Sequence, residues 1–244
     1  MDNLADFFAN MNFSGFTFDL EYVTGTVVPV LNKGLAVSLT LIVPSIIMGF
    51  LFGVAIGAGR VYGPRRVRRL LDIHVTLVRG VPLLVQMFII YFGLPNIGIR
   101  FSPYVAGVFA FTLCSSAYHS EYIRGALLSI NQGQSKAANA LGFTSLQTVL
   151  WVIIPQALRR ALPGCGNEFI YLIKYSSLAS AIVMMDLTGE AVALAGRDYK
   201  YTEVYLPLGA YYLAITSFAT LALYFTEKKI AIPGFGVTRA GVGK

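Results

Sequence analysis

Ser115, Tyr118, Glu121 and Arg124 follow one another every three residues through a stretch that is otherwise apolar. That spacing sets them along one side of a helix. An ionisable side chain inside a membrane-length run is costly and reads as functional. A carboxylate at Glu121, with Tyr118 beside it, accepts an ammonium group, or it pairs with Arg124 on its own helix; spacing alone allows both. A second polar face follows at Asn167, Tyr171 and Lys174, at i, i+4 and i+7, with Tyr175, Ser176 and Ser177 directly after. Lys174 needs an anion or carbonyl groups, and these belong either to a ligand carboxylate or to the bundle itself. The three hydroxyls after it offer hydrogen bonds to a ligand. Gln86 offers its amide to a ligand or, equally, to a neighbouring helix. Glu168 falls on a different face and is expected to pair within the bundle.

Other chemistry is poorly supplied. Cys114 and Cys165 stand apart in apolar surroundings, and His74 and His119 are too distant in sequence for a local metal motif. No Ser/His/Asp or Cys/His constellation is present, so no catalytic residue and no metal site is expected. No run fits G-x-x-x-x-G-K-[ST]; the terminal Gly243-Lys244 lacks both the first glycine and the hydroxyl residue. The chain is therefore expected to hold no ATP or Mg2+ and to take its energy from elsewhere.

The elements that position these residues are read from hydropathy. Of 244 residues, 56% are hydrophobic and 13% charged, where a soluble domain carries roughly a quarter. With a mean hydropathy of +0.66, the chain is expected to be an all-α membrane protein. Uncharged or nearly uncharged runs predict five spans: Leu35–Ala58, a second from near Leu70 to Leu94 that must pass Pro82, Pro103–Tyr122, Leu162–Met185 and Tyr205–Phe225. Pro82 permits a kink in the second. Ser45, Gly49, Gly53 and Gly57 recur every four residues in the first and predict close approach by another helix.

The net charge of +7 is arranged by loop. Segments on one side hold Arg60, Arg65, Arg66, Arg68, Arg69, Arg124, Lys136, Arg159, Arg160, Lys228, Lys229, Arg239 and Lys244; the other side holds Lys33, Arg100, Arg197 and Lys200. Thirteen against four puts the first set inside, with the N-terminus outside and the C-terminus inside. The arginine cluster after Ala58 also suits contact with membrane lipid. No basic stripe interleaved with exposed aromatics is present, which argues against nucleic acid. The N-terminal stretch has no early basic residue and does not read as a signal peptide; its aromatics suit the membrane interface. The expected division is an outer segment 1–33, a membrane domain 34–226 and an inner tail 227–244.

One inside segment is unusual. GQSKAANALGFTSLQTVLWVIIPQ runs from Gly133 to Gln156. Gln132–Leu141 predicts a short helix stopped by Gly142, which accepts the left-handed conformation. Thr144-Ser145-Leu146-Gln147 fits a capping box opening a second helix, ended or bent at Pro155. Helix, glycine turn, helix at a membrane surface is either a docking element for a soluble partner or an ordinary interfacial loop.

This segment resembles the coupling, or EAA, motif of binding-protein-dependent ABC importer permeases: Lys136-Ala137-Ala138, then Gly142, then Ile154-Pro155-Gln156. Lys136 stands where that family usually has glutamate. VRGVPLLVQMFIIYFGLP (Val78–Pro95) is similar to the R-G-T-P-L-L-V-Q signature of the polar amino acid permeases. EYIRGALLSINQGQ and NEFIYLIKYSSLAS resemble the same group, with Tyr175 in place of a small polar or acidic residue. The similarity covers roughly Leu35–Phe225.

The resemblance implies a MetI-like type I permease core of five helices, multi-pass in a bacterial inner membrane. It implies a second permease subunit, alike or different, two ATPase subunits that bind ATP and Mg2+, and an extracytoplasmic amino acid-binding protein. It implies transport of a polar amino acid by alternating access, with Gln134, Lys136, Ala137, Ala138, Leu141 and Gly142 as the ATPase-coupling residues. The rival readings are an ion-coupled secondary transporter, which commonly carries internal repeats not evident here, an ABC permease for another small solute, and an intramembrane enzyme.

Overall fold

A computed structural model of the chain describes residues 18–230. The expectations for the first seventeen residues, and for the tail that includes Arg239 and Lys244, lie outside the described residues. Eight helices and no strand occur among the described residues: α1 (Leu20–Tyr62), α2 (Arg65–Gly80), α3 (Leu83–Ile97), α4 (Pro103–Leu128), α5 (Gln132–Ala140), α6 (Ser145–Ile182), α7 (Leu187–Asp198) and α8 (Tyr201–Ile230). The all-α expectation is met.

α1 and α8 are each long and apolar enough to cross a bilayer. The bent pairs α2/α3 and α6/α7 qualify when each is taken as one span. α4 is more polar and lies at the centre, its small residues turned to its neighbours. Ala106, Ala110, Phe111, Ser115, Ala117 and Ser120 are fully buried.

The seam between α1 and α4 follows from the small-residue stripe. A Cβ on Gly49 would come within 2.6 Å of Ser115 Cβ, one on Gly53 would overlap His119 Cβ, and one on Gly57 would reach 2.9 Å from Ile123 Cγ2. Without side chains in the way, the two backbones meet over three turns. In lipid, where apolar burial gives little preference for helix–helix contact, such van der Waals fit is a main source of association.

Three elements differ from their sequence outlines. α1 runs outward to Leu20, capped by Asp19, whose carboxylate accepts from Tyr22 N at 2.9 Å. The second span is not a kinked helix: α2 and α3 meet at 102°. Gly80-Val81-Pro82 breaks the hydrogen-bond ladder, and Gln86 Nε2 donates to the freed carbonyls of Val78 (2.7 Å) and Val81 (2.8 Å). α6 does not end at Pro155. A π-helical stretch, Thr148–Ile153, leads into Pro155 at the first turn of the regular helix, where a missing N–H is tolerated.

The far end of α6 breaks into a 3-10 stretch, Ser176–Ile182, and the chain resumes as α7 at 50°. Asp186 caps α7 through Gly189 N at 2.9 Å. Leu187 N donates to Ser38 Oγ at 3.0 Å, and Gly34 lets α1 touch the same turn. α7 is thereby fixed to α1.

Candidate functional site

Residues 131–156, expected on the inside, form a compact hairpin. Asn131 Oδ1 caps α5 by accepting from Gly133 N at 2.7 Å. Gly142 closes it with φ +84°. Phe143 N donates to Ala138 O (3.1 Å) and Gly142 N to Asn139 O (3.0 Å), the paired bonds of a Schellman stop. The capping box is complete: Gln147 N donates to Thr144 Oγ1 (3.3 Å) and Thr144 N to Gln147 Oε1 (2.9 Å).

The hairpin is tied to the bundle. Thr148 Oγ1 donates to Asn139 Oδ1 at 3.2 Å, and Gln156 Nε2 to Gln134 Oε1 at 3.2 Å. Arg160 Nη1 donates to Ser129 O at 2.6 Å, joining α6 to the end of α4. Ala138 is buried against the hairpin, whereas Lys136, Ala137 and Gln134 are exposed. Leu141 (79% exposed), Leu146 and Trp151 (74%) leave an apolar surface uncovered. Such a surface beside a basic residue suits a soluble partner.

The interior polar residues separate into groups. Glu121 forms its intrahelical pair with Arg124, Nη2 to Oε2 at 3.0 Å. It also receives Arg60 Nη2 at 2.9 Å and Arg79 Nη1 at 3.4 Å on Oε1. Arg60 donates further to Asp72 Oδ1 at 2.7 Å and Ser120 Oγ at 3.3 Å. Three helices, α1, α2 and α4, are joined through this one carboxylate. Arg79 lies over the Tyr118 ring at 5.2 Å.

On α6, Asn167, Tyr171, Lys174 and Tyr175 are all exposed on one face. The Lys174 ammonium sits 4.6 Å from the Tyr171 ring centroid, with no carboxylate in ion-pair reach among the described residues. Tyr171 and Tyr175 stack at 6.1 Å. Ser176 Oγ donates to Ile173 O and Ser177 Oγ to Lys174 O, so both protons are spent on their own helix. Gln86 is spent on the α2 break, although its Oε1 stays buried without a partner.

Glu168 is the residue the sequence reading underrated. It is 3% exposed and makes no hydrogen bond or ion pair among the described residues. Arg79 is the cation within its electrostatic reach, and Tyr122 and Tyr175 are also near. Its sequence signal was available: a single acid in an apolar run.

Comparison with known proteins settles what this arrangement belongs to. Residues 45–232 match the family of binding-protein-dependent transport system inner membrane components. The chain belongs to this family. A Bacillus subtilis protein named "Probable amino-acid ABC transporter permease protein YckA" is 37% identical over 203 residues, 83% of this chain and 90% of the relative. The glutamine transport system permease protein GlnP of Escherichia coli is 32% identical, over 84% of this chain and 94% of its own. A solved amino acid ABC transporter with histidines is 33% identical and superposes with a TM-score of 0.80, over 88% of this chain and all of that one. Membership places the chain among membrane permease subunits and implies an ATPase and a substrate-binding protein as partners.

Proposed function

We propose that the chain is the transmembrane permease subunit of an ATP-driven importer that moves a polar amino acid across the bacterial inner membrane by alternating access. The relatives named above are amino acid permeases over nearly their whole length, which supports the substrate class. α1, α2/α3, α4, α6/α7 and α8 serve as five spans, with the N-terminus outside and the C-terminus inside, as the basic residues require. The membrane domain takes in residues 34–226, and the ends, 1–33 and 227–244, flank it. A second permease subunit, two ATPase subunits carrying ATP and Mg2+, and an extracytoplasmic amino acid-binding protein complete the machine.

One observation carries the mechanism: the hairpin and the polar interior face share a helix. The helical path of α6 continues from Ser145, beside the Gly142 turn, through Pro155 to Tyr175, where it tightens into its 3-10 end; Asn167, Lys174 and Tyr175 lie exposed along it, with buried Glu168 on an adjoining face. A soluble ATPase gripping the exposed Gln134, Lys136, Ala137, Leu141 and Gly142, with Ala138 packed inside the hairpin they form, moves that face directly. Among the candidate substrate residues, Tyr118, Asn167, Lys174 and Tyr175 keep polar groups free, and Glu168 joins them. Glu121 acts mainly as the hub of the arginine cluster. Gln86, Ser176 and Ser177 contribute by shaping the backbone.

The test is uptake by the reconstituted complex of permease, ATPase and binding protein across a panel of radiolabelled amino acids and sugars. ATP-dependent accumulation of an amino acid is expected. Accumulation that needs an ion gradient and no ATPase would overturn the reading.

A further inference from the structure

We propose that α2, with the groove beside it, is a binding site for an anionic phospholipid. Arg65, Arg66, Arg68 and Arg69 are all exposed and have no ion pair among the described residues. Three of the four basic residues at the other end of the bundle are paired: Lys33 with Glu190 at 2.8 Å, Arg197 with Asp198 at 2.7 Å and Lys200 with Asp19 at 2.6 Å. The four α2 arginines form a concentrated cation cluster with no carboxylate in ion-pair reach among the described residues.

The same helix exposes an apolar stripe. Val67, Leu70, Ile73 and Leu77 stand at spacings of three and four residues and are 41–67% exposed, while Val75 and Val78 are buried against the bundle. Stripe and arginines together have the make-up of a helix lying in a lipid interface. His74, at the edge of the stripe, lines a groove of about 520 Å3 between α1, α2 and α4. Phe52, Ile56, Phe109 and Leu113 make its walls, almost wholly apolar. One lipid satisfies both features, with its phosphate on the arginines and an acyl chain along Leu70 and Ile73 into the groove. A second copy of this chain fits less well, since it would bring the same four arginines and a net charge of +7.

Lipid occupancy also reaches the interior. α2 carries Asp72, bonded to Arg60, and Arg79, bonded to Glu121. Seating α2 on the leaflet therefore sets the position of two members of the Glu121 cluster.

The probe is phosphatidylglycerol. The intact permease–ATPase complex is purified from nanodiscs of phosphatidylcholine with and without phosphatidylglycerol, and retained lipid is counted by native mass spectrometry. Selective retention of phosphatidylglycerol is expected, falling about fivefold in affinity for each arginine replaced by glutamine. Ile56→Trp, which fills the groove and keeps every arginine, is expected to lower retention as well. Should the fourfold arginine variant fail to insert, Arg68→Gln and Ile56→Trp decide the matter. Equal retention of both lipids, retention unchanged in these variants, or displacement of the lipid by inorganic phosphate would overturn the proposal. So would arginines shielded from phenylglyoxal in the delipidated complex, which marks a protein occupant.

Discussion

Arg60 Nη2 lies 2.9 Å from Glu121 Oε1, linking the last turn of α1 to α4 at one end of their seam. The Arg60 side chain is only 8% exposed, so this contact is largely withdrawn from water. Glu121 holds three arginines while Glu168, also facing Arg79, holds none. Charge in the interior is thus distributed unevenly between the central helix and the helix that carries the hairpin.

Replacing Glu121 with glutamine removes one of the two carboxylates on buried Arg60, leaving Asp72 as the other. A loss of about 1–3 kcal/mol is expected. Arg124 is 38% exposed, and Arg124→Gln is expected to cost under about 1 kcal/mol. Thermal unfolding in detergent, read by tyrosine and tryptophan fluorescence, ranks the two. Equal losses would show that the cluster is not organised around Glu121.

Gly53→Leu should prevent assembly of the bundle, because even a Cβ there overlaps His119. Gly125→Ala supplies the contrast: nothing lies within 4 Å of its added Cβ. Monodisperse protein is expected for Gly125→Ala and aggregated or degraded protein for Gly53→Leu, by size-exclusion chromatography.

Gly142→Ile places a β-branched side chain at φ +84°, where an L-residue is disfavoured by about 1–2 kcal/mol or more. Space is not the obstacle, since the position is open. The expected phenotype is a membrane-inserted protein whose ATPase partner hydrolyses ATP without matching uptake. The ratio of substrate moved to ATP consumed measures this, and an unchanged ratio would remove the hairpin from the mechanism.

At the other end, Lys200 Nζ holds Asp19 Oδ2 at 2.6 Å and lies over the Tyr22 ring at 4.2 Å. The hydrogen bond from Lys200 keeps the Asp19 carboxyl below its ordinary range. The folded protein therefore favours the ionised form. The contact is complete at neutral pH and is lost only as pH falls through that depressed value. Asp19→Asn should lower Tm slightly at neutral pH, where the exposed pair is formed, and flatten the acid side of a plot of Tm against pH, the two proteins converging once the wild-type carboxyl is protonated.

Much of this was legible in the sequence because it is local. The stop at Gly142, the capping box at Thr144–Gln147 and the glycine stripe all depend on residues a few positions apart. The break at Gly80–Pro82 was visible only as a kink, since its angle depends on Gln86 reaching back to two carbonyls. The continuity of α6 through Pro155 was hidden because a π-helical turn before it absorbs the proline. Arg60 and Glu121 are 61 positions apart, and hydropathy does not encode which charges meet across a bundle. The expected pairing of Glu168 is not made among the described residues, because helical spacing gives its face but not what stands opposite.

The central claim is that a cytosolic motor grips this chain at the α5–α6 hairpin. Its most direct test is a single cysteine, Lys136→Cys, probed with a membrane-impermeant maleimide. Both native cysteines are buried, so background labelling is expected to be low. Labelling should occur in inside-out vesicles, fall when the ATPase subunit is bound, and be absent in intact spheroplasts. Labelling from the outside of intact spheroplasts, or labelling indifferent to the ATPase, would contradict the account.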